Sequence, residues 1–227
     1  MARPAAAPGQ CVYCKNEFSH KAMPKHLLAC AERLAVIAKI DKKAGAREKL
    51  YHLRVQDAYN KTFWLDLEMR GAATLEALDN YLRAIWLECC GHLSHFAFDG
   101  WQGEELAMKN KISAVFKTKE VLTHLYDYGT TSMTLIHTVG ARMGKPASRR
   151  PIALMARNLQ PEAQCMVCKE PAQVLCVECL IEENRWGTLC EAHAKKHEHD
   201  NYGDPVMLMN SPRLGMCGYT GPADPPY

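Results

Sequence analysis

Two features of the 227-residue sequence predict an α+β fold. Apolar and polar residues alternate through much of residues 47–140, as they do in half-buried strands, and one segment there has the periodicity of an amphipathic helix. Cysteines and histidines are concentrated near both ends of the chain, at spacings typical of zinc ligands. We therefore expect an antiparallel sheet with a packed helix in the centre, flanked by small zinc-stabilised modules.

Residues 10–46 are expected to form a zinc finger with an extended helix, after a disordered lead-in over residues 1–9. The candidate ligands follow the spacing C-x2-C-x11-H-x3-C and are Cys11, Cys14, His26 and Cys30. His26 and Cys30 are four residues apart, which places both on one face of a helix. A finger of about 20 residues buries too small a core to fold alone, so metal binding would supply folding free energy.

The helix of the finger is expected to continue to a stop at Gly45, because apolar residues recur at helical spacing. Residues 1–54 hold 11 Lys/Arg against 4 Asp/Glu, and a second basic segment, 140–158, contains no acidic residue. This distribution favours a nucleic-acid partner, although a solvated helix face and linker explain it equally well. The candidate nucleic-acid contacts are Lys25, Arg33, Lys39, Lys42, Lys43, Arg149 and Arg150.

Residues 47–140 are expected to form the α+β domain. The alternation of apolar and polar residues predicts strands over 50–55 and 62–69, and further strands are expected over 95–98, 113–116, 122–127 and 132–139. Between the second and third of these, segment 74–86 predicts an amphipathic helix that Thr74 caps and that buries Leu75, Leu78 and Leu82. Cys89 and Cys90 follow this helix and are expected to be buried thiols. His92 and His95 could help to bind a metal, but packing or hydrogen bonding explains them better.

Three sequence segments of this domain resemble a known family. The run from Thr74 to Trp86, the H-L-S-H-F sequence at 92–96 and the Y-D-Y-G turn at 126–129 are similar to the plasmid-borne ORF-three-like family, also described as insertion-element passengers. The closing segment, 210–219, resembles the end of zinc-containing members. The resemblance covers residues 48–140 and 165–220, and it implies an α+β sheet carrying a helix and a link to mobile elements. The residues after the turn, 130–132, depart from the family pattern.

Residues 141–164 contain three prolines and several basic residues, which predicts a linker. The segment 165–227 is expected to be a double-zinc module, because its spacing, C-x2-C-x7-C-x2-C-x10-C-x2-H-x3-H-x-H, supplies eight ligands for two tetrahedral sites. Crossed pairing is favoured over sequential pairing. It groups Cys165, Cys168, Cys190 and His193 in one site and Cys176, Cys179, His197 and His199 in the other. Cys217 is either a replacement for His197 or His199 or a buried thiol.

The composition limits where the protein acts and which cofactor it uses. The N-terminus lacks the apolar core of a secretory signal, and no apolar run approaches the roughly 20 residues of a membrane span. Eleven cysteines without such a signal favour a reducing, cytoplasmic location with no membrane partner. The predicted cofactor is zinc, three ions in all. Closed sites with four protein ligands are structural rather than catalytic.

The sequence favours binding over catalysis. The preferred hypothesis is a structural-zinc protein that associates with nucleic acid and is linked to mobile elements or regulation. The first alternative is a protein-protein interaction adaptor, because the C-terminal module carries acidic residues at 178, 182 and 183. The second alternative is a hydrolytic enzyme with a central cleft lined by His92, His95, Asp66 or Asp127. The oligomeric state is left open.

Overall fold

The computed structural model describes residues 7–117, 120–199 and 201–225. Within these residues, an eight-stranded antiparallel sheet has the strand order β2-β1-β8-β4-β3-β7-β6-β5. Its strands are β1 (Gly9–Cys11), β2 (Glu17–Phe18), β3 (Glu48–Asp57), β4 (Trp64–Arg70), β5 (Ser94–Ala97), β6 (Val121–Tyr126), β7 (Ser132–Gly144) and β8 (Ile152–Asn158). The predicted α+β class with a central antiparallel sheet is confirmed.

One face of the sheet packs against a helix. Helix α3 (Leu75–Leu82) continues as a π-helical turn, Arg83–Leu87, and its buried residues join those of β3, β4 and β6 in the main apolar core. The Thr74 hydroxyl accepts a hydrogen bond from the Ala77 N–H at 3.3 Å, as an N-cap does. The predicted amphipathic helix is thus confirmed, with a change of helix type in its last turn.

The other face of the sheet is covered by the N-terminal segment. That segment contains the helices α1 (Met23–Ala29) and α2 (Ala31–Asp41). The Arg54 guanidinium of β3 donates to the His20 carbonyl at 2.9 Å, and Arg33 of α2 lies against Glu68 of β4. Strand β3 is therefore buried on both faces, with its apolar side chains towards α3 and its polar ones towards the N-terminal segment.

The N-terminal segment also extends the sheet, since β1 pairs with both β2 and β8. Gly9 is required at this point, because a Cβ there would overlap the Trp64 ring and the Arg157 carbonyl oxygen. The Ala7 carbonyl accepts a hydrogen bond from Trp64 Nε1 at 3.0 Å. The prediction of a disordered lead-in is therefore wrong for residues 7–9, and residues 1–6 lie outside the described residues.

The helix of the finger does not run continuously. Cys30 has extended backbone, with φ −62° and ψ 115°, so it separates α1 from α2, and α2 ends at Asp41 rather than at Gly45. The buried side chain of α2 is Arg33, whereas Leu34 is 47% exposed. The prediction of one continuous helix that stops at Gly45 is therefore wrong, and the side chain that α2 buries is held by its ion pair with Glu68.

Two further predictions of secondary structure are wrong. Residues 113–116 were expected to form a strand, but Ile112–Val115 is a short helix, α4, which buries Ile112 and Val115 together. The linker predicted for 141–164 contains the end of β7 and all of β8, which pairs with β4 on one side and β1 on the other. The prolines bound β8 without interrupting it, and its buried residues, Ile152, Met155, Ala156 and Asn158, do not alternate along the strand.

The C-terminal module contains a second sheet, of three strands among the described residues, in the order β10-β9-β11. Its elements are β9 (Val174–Cys176), α5 (Val177–Ile181), β10 (Gly187–Leu189), α6 (Glu191–Ala194) and β11 (Val206–Met207). The buried cluster of the module is small and consists largely of cysteines: Cys165, Cys176 and Cys179 with Leu189. None of the helices in the described residues has the length and apolar character that a membrane crossing requires.

Candidate metal sites and basic face

The first Cys/His group lies where β1 meets α1 and contains the four residues of the predicted finger. Cys11 Sγ lies 4.0 Å from Cys30 Sγ, and Cys14 Sγ lies 3.4 Å from His26 Nε2. The Phe18 ring stacks on the His26 imidazole at 3.7 Å between centroids, which fixes the orientation of the imidazole. The turn between the two cysteines closes with Lys15 at φ 63°, whose N–H donates to the Cys11 carbonyl.

This geometry fits a tetrahedral thiophilic ion. Zn–S bonds of about 2.3 Å place two thiolates about 3.8 Å apart, and all four candidate ligand atoms lie within 4.8 Å of one another. Burial raises the pKa of the Cys30 thiol to about 11. A thiolate at this position therefore needs a compensating cation, which a bound metal would supply.

The second and third groups lie in the C-terminal module, in the crossed arrangement that the spacing favours. One contains Cys165, Cys168, Cys190 and His193, and the other contains Cys176, Cys179, His197 and His199. The Cys168 and Cys190 sulfurs are 3.8 Å apart, and His193 Nδ1 lies 3.2 Å from Cys190 Sγ. Both distances match a tetrahedral site with thiolate and imidazole ligands.

Backbone hydrogen bonds stabilise a cysteine thiolate in the second group. Burial raises the pKa of Cys165. Hydrogen bonds from the backbone N–H groups of Cys190, Cys168 and Val167 lower it by more, so that this pKa is about 6. These donors stabilise the thiolate before any cation binds. Thr188 supports the same turn, since its hydroxyl donates to the Gln164 carbonyl at 2.7 Å.

The third group uses both histidines of the H-x-H sequence. His197 Nε2 and His199 Nδ1 lie 3.4 and 3.2 Å from Cys179 Sγ. The other nitrogen of His199, Nε2, lies 3.6 Å from Glu183 Oε1, an arrangement common where a carboxylate orients a metal-binding histidine. Gly187 packs against this group, since a Cβ there would come within 2.5 Å of the Cys179 Cβ.

Cys217 lies elsewhere, so the prediction that it could replace His197 or His199 is wrong. It joins a fourth group that the spacing did not reveal, made of Cys89, Cys90, His92 and Cys217. Cys90 is exposed and Cys89 is half-buried, which also corrects the prediction that both are buried thiols. The sequence signal that could have found this group is the C-C-x-H spacing at 89–92.

The predicted nucleic-acid contacts fall into two classes. Arg33 is buried against Glu68 and is not available to a partner, so this prediction is wrong. The other six side chains are exposed: Lys25, Lys39, Lys42, Lys43, Arg149 and Arg150. Lys25 lies on α1, three of the lysines lie at the end of α2, and the arginines lie in the loop that connects β7 to β8.

Lys145 joins that loop to the end of α2. Its ammonium donates to the Asp41 carbonyl at 2.9 Å and to the Lys43 carbonyl, and its backbone N–H donates to the Asp41 carboxylate. The two basic segments of the sequence, about 100 residues apart, therefore lie side by side. We call the surface formed by Lys39, Lys42, Lys43, Lys145, Arg149 and Arg150 the basic face.

Of the residues of the enzyme hypothesis, His92 and Asp127 lie close together, with 3.5 Å between Nε2 and Oδ2, and the others have different partners. Asp66 is fully buried and accepts hydrogen bonds from His52 and Arg54. Asp127 pairs with Arg213, and His95 Nδ1 lies 2.7 Å from the Tyr128 hydroxyl. Of these candidates, only His92 belongs to a Cys/His group.

A cavity of about 460 Å³ lies between the turn after β3 and the C-terminal module. Its lining is mainly apolar and includes Phe63, Trp186 and Leu214, with Asp57 as a titratable group. Burial raises the pKa of Asp57 to about 6. The hydrogen bonds that its carboxylate accepts from the Asn60 and Tyr59 N–H groups offset part of the rise. This carboxyl group therefore changes charge at mildly acidic pH.

Comparisons with known proteins give little on function. No protein-family profile and no curated protein matches the chain. One solved structure with a similar arrangement is a protein of unknown function from Methanosarcina mazei Go1. It is 16% identical over 49% of this chain and 68% of that chain, with a TM-score of 0.40.

Proposed function

We propose that the protein is a zinc-stabilised nucleic-acid-binding protein, in which the three predicted Cys/His groups hold structural zinc and the basic face contacts the phosphate backbone. The observation that supports nucleic-acid binding is the position of Lys145, which holds the β7–β8 loop against the end of α2. Two basic segments that are distant in sequence thereby meet at Lys145.

Zinc is the proposed ion because of the ligand set. Each of the three groups combines thiolates with imidazoles, a donor set that suits zinc and excludes the oxygen-preferring ions magnesium and calcium. Each group also supplies four protein ligands, as structural sites do. The cores around the first group and the C-terminal groups are small and rich in cysteine, so metal binding would supply much of their folding free energy.

Membership of the ORF-three-like family, and with it a link to mobile elements, is part of the same proposal. The segments that carry the resemblance lie together, because Ser94 and His95 of β5 pair with Tyr126 and Leu125 of β6. The turn that follows β6 begins at Asp127, which is held by Arg213 from the closing segment. The three similar segments thus belong to one region of the fold.

The test compares two doubly charge-reversed variants in binding to mixed-sequence DNA and RNA, over a series of salt concentrations. Lys42→Glu/Lys43→Glu alters the basic face. Lys61→Glu/Lys196→Glu reverses two exposed lysines outside it, in the β3–β4 hairpin and the C-terminal module. Each lost contact to B-DNA phosphate lowers the slope of log K against log salt by about 0.9, so the first variant should lose about two units and bind at least tenfold more weakly.

The control variant should bind as the unchanged protein does, with the same metal content in all three proteins. If both variants bind equally well, the basic face is not the contact surface. If the unchanged protein shows no salt-dependent binding to DNA or RNA, nucleic-acid binding is rejected and only the metal sites stand.

A second function, as a protein-interaction adaptor, is supported by exposed apolar side chains on the C-terminal module. Val167, Ile181 and Trp186 are 59%, 50% and 60% exposed. Clusters of such residues commonly mark protein contacts. Crosslinking of the full chain in cells, compared between Trp186→Ala and the unchanged protein, tests this function. Loss of a specific crosslinked partner in the variant supports it, and identical crosslinking patterns contradict it.

A further inference from the structure

The fourth Cys/His group has the same geometry as the three predicted ones. Cys90 Sγ lies 3.8 Å from Cys89 Sγ and 3.6 Å from Cys217 Sγ. His92 Nε2 lies 2.9 Å from Cys90 Sγ and 3.1 Å from Cys217 Sγ. The sulfur separations are those of thiolates on one tetrahedral ion, for which about 3.8 Å is expected. We propose that these residues form a fourth metal site, for a thiophilic divalent ion, that fastens the C-terminal segment to the central domain.

The central domain presents its three ligands from a fixed scaffold. They follow the π-helical turn after α3, and the Cys89 N–H donates to the Tyr126 hydroxyl at 3.3 Å. Arg83 donates to the His92 carbonyl at 3.0 Å, and Glu88 accepts from the Gly91 N–H. Both ends of the C-C-x-H segment are therefore held in place independently of a metal.

The C-terminal segment presents Cys217 from a tight turn. Cys217 has a left-handed backbone, with φ 48°, between Gly215 at φ 79° and Gly218 at φ 65°. This conformation is unfavourable for a residue with a side chain, so it persists only where the surroundings compensate for it. The Ser211 hydroxyl donates to the Trp86 carbonyl at 2.7 Å, which brings the turn to the end of α3.

The charges around the group are compatible with three thiolates on a divalent cation. Arg213 is fully buried and pairs with Asp127, and its guanidinium lies 3.6 Å from Cys89 Sγ. Asp127 Oδ2 also lies 3.5 Å from His92 Nε2. Glu88 is paired with Arg83. Three thiolates and one divalent ion leave one net negative charge, and the Arg213 guanidinium, itself balanced by Asp127, donates to one of these thiolates.

The distribution of cysteines supports a metal rather than a packing role. All eleven cysteines lie in the described part of the chain, and each belongs to one of the four groups. Cys90 and Cys217 are exposed, whereas the first and third groups each contain two buried cysteines. Access from solvent makes the fourth ion the one that exchanges most readily.

The ion would also fix one wall of the cavity. Leu208, Met209, Leu214 and Met216, which precede Cys217, all line it. Since Cys217 closes this segment onto Cys90 and His92, the bound ion would restrict the movement of the wall. The proposal is independent of nucleic-acid binding.

The test measures bound metal per chain in the full-length protein, purified under reducing conditions. We expect four ions in the unchanged protein and three in His92→Ala and in Cys217→Ser. His95→Ala is the matched control, since His95 lies three residues away and contacts Tyr128 rather than the cysteines, and it should keep four. If all four proteins bind the same number of ions per chain, or if the unchanged protein binds three, the proposal of a fourth site is wrong. Neither result contradicts the other three proposed sites.

A second measurement uses only the unchanged protein, so it does not depend on the folding of a variant. Alkylation of the native, metal-loaded protein is mapped by mass spectrometry. We expect Cys89, Cys90 and Cys217 to be protected until brief chelation, and then to be modified at least tenfold faster than the cysteines of the other groups. Full-rate alkylation before chelation, or a disulfide between Cys90 and Cys217 in the reduced preparation, overturns the proposal.

Discussion

Arg33 and Glu68 form a buried ion pair between α2 and β4, with 3.2 Å between Nη2 and Oε2. The same carboxylate accepts two further hydrogen bonds from Arg142 of β7, both at 2.9 Å. One carboxylate thus joins the N-terminal segment to two strands of the sheet. Each of the three side chains depends on the others, because unpaired charges are costly away from water.

Removal of the carboxylate should be the most damaging change to this cluster. Glu68→Ala leaves two arginines without their partner, and we expect a loss of about 3–5 kcal/mol in the free energy of unfolding. Arg33→Ala should cost only about 1–3 kcal/mol, since Glu68 keeps Arg142. Urea denaturation measures both. Equal losses, or a smaller loss for Glu68→Ala, would contradict a central role for the carboxylate.

Complete removal of metal should unfold the ends of the chain and spare its centre. The buried clusters at residues 11–30 and 165–189 are small and built around cysteines. Of the proposed ligands, only Cys89 packs against the main core of β3, β4, β6 and α3. Hydrogen exchange after chelation should show lost protection at both ends and retained protection in β3 and β4. Added zinc should restore it. Unchanged protection in demonstrably metal-free protein would rule out structural metal.

The stability of the protein should respond to the titration of Asp57. Burial raises the pKa of Asp57 to about 6 from its usual 3.8, so between those pH values the native state binds more protons than the unfolded state. Stability from this group is therefore greatest at low pH and falls as pH rises through that window.

Asp57→Asn keeps an oxygen that can accept from Tyr59 and Asn60 but removes the charge. We expect the variant to be more stable than the unchanged protein by about 1–3 kcal/mol at pH 7, with the difference vanishing below about pH 4. Thermal unfolding at both pH values measures it. A difference that does not change with pH would show that Asp57 does not titrate in this window.

The cap of α3 offers a small, well-defined test. Thr74→Ala removes the hydroxyl that accepts from Ala77, and we expect a loss of about 1 kcal/mol in the free energy of unfolding. Thr74→Ser keeps the hydroxyl and should be nearly neutral. Chemical denaturation distinguishes them, and an equal loss in both variants would assign the effect to the methyl group instead.

Elements with a strong local pattern could be predicted from the sequence, and the others could not. Alternation located β3 and β4, and helical spacing after Thr74 located α3. The segment 113–116 is too short to have such a pattern, and it forms part of a helix rather than the predicted strand. Strand β8 was missed because its pairing with β4 and β1 depends on residues that are far away in sequence.

The Cys/His groups also divide into three that local spacing predicts and one that it does not. In the first, second and third groups, C-x2-C turns and nearby histidines bring ligands together over short chain distances, so the spacing alone predicts these groups. The fourth group joins Cys90 to Cys217 across 127 residues, a separation that carries no pattern. The misassignment of Cys217 has the same origin, since along the chain it lies closer to His199 than to His92.

Local spacing and local composition are enough to predict the α+β class, the four-residue composition of three candidate metal sites and the presence of two basic segments. The folded chain is needed to show that Lys145 joins the basic segments, that Arg33 is buried and that Cys217 meets His92. Those outcomes depend on which distant surfaces pack together, and packing is determined by the whole chain rather than by any one segment of it.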